Sequence, residues 1–382
     1  MANAQNCYRI VLSADSGYIP FSALLITTIL HNAAKNDSLP RLPFVFHIQT
    51  DSGSARLLSS DCGSTESQLF MRFCEEAEQI YPCVILLHAM NEDDFANIPY
   101  FSTHTNHLSS YRLRLSSVIP SNTERVLYLD SDMLALADVR ELFGIHLGEH
   151  IAGVVTDIRA YRPTFAAKNG KKSLTIPNYR NFNSGLLLLN YPRYCAENIE
   201  EQCLAFLAHY RTKMHDQDAL NAVLMGKVYY LDFAWNCISE RNAIGNRNLV
   251  FAPDSSDSQS FAHPFVSNIW LCNLTRAEHS SAQQSPKIIH YCNQKPWKSR
   301  YFYADDIGNP ILAQWRELWW EAAAQTPVYA NVLQHNNSFD VEALDRLNSF
   351  AHALNLLQLR IDRLRAPSRA LSQLWKKLRF WK

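Results

Sequence analysis

Short apolar runs alternate with longer stretches of helical spacing through the first 300 residues. YRIVLSA (8–14) reads as a strand, and FSALLITTILHNAAK (21–35) has the three-to-four spacing of a helix. PFVFHIQ (43–49) and CVILLHA (83–89) are strand-like and flank a helical segment at 67–80. YRLRLSSVI (111–119) is expected to be helical, and VLYLD (126–130) to be a strand buried on both faces. HIAGVVTD (150–157), GLLLLN (185–190) and KVYYLD (227–232) repeat one pattern, an apolar run closing on a polar residue. Strands alternating with helices predict an α/β domain with a mainly parallel sheet covered on both sides. In open sheets of this kind ligands bind at the carboxyl ends of strands. Asp15, Asp130, Asp157 and Asn190 or Asp232 stand at such ends.

Residues 1–300 are expected to form this body, with a helical connecting segment at 301–340 and an amphipathic tail at 341–382. Within the body, residues 251–286 are rich in Ser, Asp, Gln and Pro and read as loops around a short apolar piece at 265–272. In the tail, Leu347, Phe350, Leu354, Leu357, Ile361 and Leu364 form one apolar stripe, resumed after Pro367 by Leu371, Trp375 and Leu378. The stripe over 344–364 suits packing on the body or self-association into a homo-oligomer. Charge changes the picture for the last part. The chain carries 36 basic and 36 acidic residues, but positions 363–382 hold seven Lys or Arg and no acid. That leaves 29 basic against 36 acidic, a net of −7, on the remainder. Basic charge mixed with Trp375, Phe380 and Trp381 suits an anionic membrane surface, and 368–382 is read as an interfacial segment.

Nine cysteines form no CxxC pair, which suits free thiols in a reduced compartment. No signal peptide and no 18-residue apolar run is seen, so the expected location is cytoplasmic, peripheral on the inner face of a membrane. Neither GxGxxG nor GxxxxGK[ST] occurs, which disfavours standard dinucleotide and phosphate-loop chemistry. No nucleic-acid partner is expected.

The strand at 126–130 runs straight into Asp130 and Asp132, separated by Ser131. Residues i and i+2 of an extended chain point the same way, so two carboxylates can aim at one point. Two anions held close need a cation between them, and hard divalent ions such as Mg²⁺ or Mn²⁺ suit carboxylate oxygens while leaving room for phosphates. The plainer reading, an aspartate capping a turn, stays open on this motif alone.

A set of ordered blocks narrows the choice. IVLSADSGY (10–18), YRLRLSSVIP with RVLYLDSDMLAL, NFNSGLLLLN (181–190), HDQDALN (215–221), AWN (234–236, read as a strand) and IIHYCNQKPW (288–297) together resemble glycosyltransferase family 8. This is a family of retaining nucleotide-sugar transferases with a GT-A fold, and bacterial lipopolysaccharide and lipooligosaccharide galactosyl- and glucosyltransferases look most similar. The resemblance implies that Asp130, Asp132 and His290 ligate Mn²⁺ or Mg²⁺. It implies that Asp15 bonds the uracil edge of a UDP-sugar, that Tyr18 lies against the ring, and that Lys295, helped by Arg112, holds diphosphate oxygens. Ser131, Asn183 and Gly185 complete the donor set, with Asp157, Asn183 and Asp216 on sugar hydroxyls and Gln217 facing the anomeric carbon. The partners implied are a UDP-sugar and a glycan acceptor. Two positions depart from the family pattern: Gly17 stands where Asn is common, and only four residues separate His290 from Lys295. The alternative expectation is a nucleotide-sugar-binding protein at the membrane surface whose catalysis has decayed.

Overall fold

The computed structural model describes residues 7–96, 98, 107–160, 164–170, 173–176, 180–238, 248–252, 269–292, 295–297, 301–304, 310–312 and 314–335, with 350, 353, 354, 356, 357, 360 and 361. Strands β1 (Tyr8–Ser13), β2 (Phe44–Thr50) and β3 (Cys83–Ala89) alternate with helices α1 (Ile19–Ala34), α2 (Ser52–Leu58) and α3 (Thr65–Ile80). Then follow β4 (Arg125–Leu129), β5 (Met133–Ala135), α4 (Arg140–Phe143), β6 (Ala152–Thr156), β7 (Thr164–Ala166), β8 (Ser173–Thr175) and β9 (Phe182–Asn190). Helices α5 (Tyr191–Ala196), α6 (Ile199–His209) and α7 (Asp216–Val223) lead to β10 (Val228–Leu231), β11 (Asn248–Ala252) and β12 (Ile269–Thr275). The last elements are α8 (Arg276–Gln284), β13 (Ile288–His290), β14 (Tyr301–Ala304), β15 (Pro310–Leu312), α9 (Arg316–Ala324) and α10 (Ala330–His335).

Seven strands form the central sheet in the order β10-β6-β9-β4-β1-β2-β3. All its pairings are parallel except those of β9, which runs antiparallel to both β4 and β6. Alternate residues of the apolar strands feed two cores. Leu12, Phe46, Leu127 and Leu188 face α1, α3, α9 and α10 through Leu25, Phe73, Trp319 and Leu333. Val11, Tyr128, Val154 and Leu187 face the other side, where Leu113, Ile199, Cys203 and Leu220 pack. A strand buried on both faces cannot alternate in polarity, and this is why β4 and β9 read as continuous apolar runs.

Four segments differ from the sequence expectation, one of them the expected helical connection at 301–340, where the paired strands β14 and β15 precede α9 and α10. Residues 111–119 are not an α-helix but two 3₁₀ turns, Leu108–Leu113 and Leu115–Ser117, broken at Arg114, whose φ of −138° lies outside helical geometry. AWN belongs to a 3₁₀ turn, Phe233–Asn236, because the Asp232 carboxylate accepts from the Ala234 N–H and caps it. Part of the expected loop at 251–286 is helix α8, started by a capping box in which Thr275 and Glu278 satisfy each other's backbone N–H groups. Residues 253–268 lie outside the described set.

None of the nine cysteines is bonded to another. Among the described residues no helix is long and apolar enough to cross a membrane. In the tail, the described stripe residues Phe350 and Leu354 are 66% and 51% exposed, and Leu357 and Ile361 are exposed too, so these four do not pack on the body. Leu347, Leu364 and the interfacial segment 368–382 lie outside the described residues.

Candidate active site

Beyond the carboxyl end of β4 the chain turns through Asp130, Ser131 and Asp132 and returns as β5. β5 pairs antiparallel with β13, His290 opposite Met133, and this pairing carries the imidazole to the carboxylates. His290 Nε2 stands 3.1 Å from Asp132 Oδ1 and 3.6 Å from Asp130 Oδ2. Ser131 points inward and holds the turn: its hydroxyl donates to Ser13 O at 2.8 Å and accepts from Ser22.

Each aspartate meets a cationic side chain. Arg112, fully buried in the 3₁₀ turn, donates from Nη2 to Asp130 Oδ1 at 2.7 Å and from Nη1 to Ser184 O at 2.7 Å, while its Nε lies 3.1 Å from Asp216 Oδ2. Its guanidinium also lies over the Tyr128 ring, 4.6 Å from the centroid, and the Tyr128 hydroxyl donates to Asp130 Oδ1 at 3.1 Å. Lys295 ion-pairs with Asp132 Oδ2 and donates to Tyr291 O at 2.7 Å. The four-residue spacing from His290 is therefore long enough for Lys295 to reach the Asp132 carboxylate. Burial opposes ionisation of Asp132, but the Lys295 ammonium and His290 outweigh it and hold this carboxyl below its usual range. Phe21 stacks on Trp297 at 4.3 Å, locking the Lys-Pro-Trp turn onto α1. Tyr18 precedes α1, its ring 5.2 Å from that of Phe21, and its N–H donates to the Asp15 carboxylate at 2.9 Å.

A bulge in β9 supplies the other wall. Opposite β6 the register jumps from Val154↔Leu187 to Val155↔Asn183, so residues 184–186 loop out of the ladder. Such bulges re-aim side chains, here Asn183 and Ser184. At Gly185 a Cβ would fall 2.5 Å from His290 Cε1 and 2.8 Å from Asp130 Oδ2, so only glycine lets the strand pass this close. On the far side, His215 takes a φ of 41°, a backbone conformation costing on the order of 1–3 kcal/mol in a non-glycine residue, and delivers Asp216 and Gln217 at the start of α7. Gln217 Oε1 accepts from Ser184 N at 3.1 Å and Asn183 Nδ2 at 3.3 Å, and its Nε2 donates to Asp157 Oδ2 at 3.2 Å. Asp157 also accepts from Arg159 N at 3.0 Å.

Asp130, Asp132 and His290 each offer one ligand atom, all within 4.8 Å of one another. The buried Asp132 Oδ1 has the His290 ring nitrogen 3.1 Å away, and a carboxylate oxygen buried among these groups suits a cation. One imidazole beside two carboxylates is a donor set suited to Mn²⁺. The residues present fit a divalent metal.

A family model described as glycosyl transferase family 8 matches residues 9–300. The chain belongs to this family. Among curated relatives, the family 8 chain is 26% identical over 202 residues to the lipopolysaccharide 1,3-galactosyltransferase of Salmonella typhimurium, covering 52% of this chain and 55% of that protein. It is 24% identical over 238 residues to the lipopolysaccharide 1,2-glucosyltransferase of Escherichia coli, covering 62% of this chain and 64% of that enzyme. The match thus spans less than two thirds of either enzyme. Among solved structures, the galactosyltransferase LgtC in complex with donor and acceptor sugar analogs aligns over 86% of this chain and 99% of its own, with TM-score 0.54 and 20% identity. The WbbM bifunctional glycosyltransferase aligns over 87% of this chain and 52% of its own, with TM-score 0.58 and 19% identity. The fold is GT-A, and the family 8 chain is a glycosyltransferase.

Burial pushes the Asp216 carboxyl up to about 6, although Arg112 pulls the other way. Folding therefore favours its protonated form, so the contribution to stability is complete below the unfolded value of 3.8 and is lost as pH rises through about 6. Asp216→Asn, which cannot ionise, is expected to gain stability relative to the parent as pH rises from 4.5 to 7.5. Urea unfolding of metal-free protein at both pH values checks this, and an unchanged difference would count against the assignment.

Proposed function

We propose that this chain is a metal-dependent, retaining hexosyltransferase that moves galactose or glucose from a UDP-sugar to a glycan hydroxyl. The acceptor proposed is lipopolysaccharide, lipooligosaccharide or another surface glycan; lipopolysaccharide is the substrate named for the two curated relatives. The observation that carries the reading is the meeting of Asp130, Asp132 and His290 next to Lys295 and the Asn183–Gln217 amides.

Asp130, Asp132 and His290 would hold Mn²⁺ or Mg²⁺, which when bound supplies Lewis-acid stabilisation of the leaving diphosphate. Lys295 adds a positive charge at the same end of the site, and charge preorganised in a water-poor pocket is worth more than in water. Asp15 and Tyr18 take the uridine. Asp157, Asn183 and Asp216 bond the hexose hydroxyls and hold the ring still. Gln217 turns an amide oxygen towards the anomeric carbon as positive charge builds there. An amide oxygen is a weak nucleophile, so the acceptor oxygen bonds to the anomeric carbon on the face that UDP leaves. The carbon–oxygen bond to UDP breaks, and the acceptor's proton passes to the departing phosphate oxygen.

A panel of UDP-hexoses with Mn²⁺ tests this, read as UDP release and as the anomeric configuration of the product. Retention with one preferred hexose is expected. Inversion, or a covalent sugar adduct on Asp216 or Gln217, would refute the mechanism. UDP binding without any turnover would favour the decayed binding protein.

The basic segment 368–382 is read as a membrane-surface anchor at the inner face, because five cationic residues and tryptophan coincide there without acids. Deleting 366–382 should abolish co-sedimentation with anionic liposomes and leave turnover on a soluble acceptor intact. Loss of both would mean that the segment supports the fold instead.

A further inference from the structure

An unbroken set of hydrogen bonds links the candidate metal ligand His290 to Gln217 through Asn236, a fully buried residue of the 3₁₀ turn Phe233–Asn236. Asn236 Nδ2 donates to Asn183 Oδ1 at 2.9 Å, and Asn236 Oδ1 lies 2.9 Å from His290 Nδ1. Amide and imidazole orientations of this kind follow from what their neighbours can donate or accept. Here the chain of assignments begins at backbone groups that have no choice. Gly185 N–H can only donate, and it donates to Asn183 Oδ1 at 3.0 Å, so that atom is oxygen. Ser184 N–H fixes Gln217 Oε1 in the same way at 3.1 Å. Asn183 must then present its NH₂ to Gln217, and Asn236 must present its NH₂ to Asn183. That leaves the Asn236 carbonyl facing His290, and a carbonyl only accepts. Nδ1 therefore carries the proton, and Nε2 is the ring nitrogen that faces Asp130 and Asp132.

The alternative tautomer would have a different chemistry. An Nε2–H with a bare Nδ1 would donate to Asp132 Oδ1 across 3.1 Å and would leave the Asn236 carbonyl without a donor. A metal would then have to displace a proton before binding. With Nδ1 held by the Asn236 carbonyl, Nε2 is the ring nitrogen left to a cation between the two carboxylates.

We propose that Asn236 is a positioning residue of the transferase: its carbonyl selects the metal-binding tautomer of His290, and its NH₂ anchors the Asn183–Gln217 pair. The inference rests on the reading of Asp130, Asp132 and His290 as metal ligands. It extends that reading to a residue that touches neither metal nor sugar. It also makes two separable demands on one side chain. Partners that fix a ligating imidazole commonly change metal affinity by roughly 10–100-fold when lost.

The test uses the full chain without metal, labelled with ¹⁵N at histidine, with His290→Gln serving to assign the signals. Long-range ¹H–¹⁵N correlations should show His290 with Nδ1 protonated. An Nδ1 without its proton in wild-type protein would overturn the proposal. Titration with Mn²⁺ alone, read by electron paramagnetic resonance, then separates the two roles. Asn236→Leu removes acceptor and donor, and should lose the single tautomer and about tenfold or more of Mn²⁺ affinity. Asn236→Asp keeps an acceptor for Nδ1, so tautomer and Mn²⁺ affinity should persist. It has no N–H for Asn183, so kcat should fall with little change in KM for the donor. If Asn236→Leu does not fold, the wild-type spectrum and Asn236→Asp still decide. Equal loss of Mn²⁺ affinity in both variants would overturn the tautomer role. A wild-type chain with the expected tautomer but no Mn²⁺ uptake would instead overturn the ligand reading beneath it.

Discussion

Replacing Asp132 by asparagine is expected to abolish Mn²⁺-assisted UDP binding and to lower turnover by about a thousandfold or more, the scale of several kcal/mol of Lewis-acid stabilisation. Asp132 is the sharper choice of the two aspartates. Asp130 also anchors Arg112 and Tyr128, so its loss disturbs the buried interior as well as the site. Among the described residues the Asp132 carboxylate pairs with His290 and Lys295. The asparagine keeps the shape and removes the charge, leaving Lys295 with the Tyr291 carbonyl as its partner. Calorimetry of Mn²⁺ and UDP binding, with circular dichroism to confirm an unchanged fold, gives the answer. Unchanged Mn²⁺-assisted UDP uptake would remove the metal clamp from the reading altogether.

Arg112→Met should be the most destabilising single change at the site, by about 3–5 kcal/mol. The buried guanidinium pairs with Asp130 and Asp216 and donates to the Ser109 and Ser184 carbonyls. Removing it strands two carboxylates in a low-dielectric interior, where an uncompensated charge is far more expensive than an absent pair. Arg112→Lys is expected to rescue little, because one ammonium cannot reach three points arranged around a planar fork. Adding Asp216→Asn to Arg112→Met should recover part of the loss, since one stranded charge is then gone. Denaturant unfolding of the four proteins measures that coupling. Strict additivity of the two substitutions would show that the Arg112–Asp216 contact carries no energy.

The apolar runs of β1, β2, β3 and β4 and the helical spacing of α1 and α3 were legible because each is a local pattern with a fixed period. The co-occurring blocks that name the candidate site were legible for a different reason. Asp130, Asp132, His290, Lys295 and Gln217 are chemically committed side chains, and their ordered recurrence along the chain carries information even before their positions are known. Helix α8 could have been found as well. Thr275 and Glu278 stand three apart, as a capping box requires, although the surrounding Ser and Gln suggested a loop.

Other features had no local signature. Nothing in GLLLLN marks β9 as the one strand that runs against both neighbours, because strand direction depends on connections and not on composition. The 3₁₀ turn of Arg112 reads as helix in one dimension and becomes a buried hub only when β9 brings Ser184 and α7 brings Asp216 beside it. Asn236 closes the AWN block, but nothing in that block marks its two bonds, which join residues 53 and 54 positions away. The amino-acid sequence by itself thus determined the layer architecture and the reactive groups, since periodicity and side-chain chemistry are properties of the local chain. The tertiary structure alone decided which buried charge answers which, and which nitrogen of His290 meets the Asn236 carbonyl, because those depend on donors and acceptors that only long-range pairing brings within 3 Å.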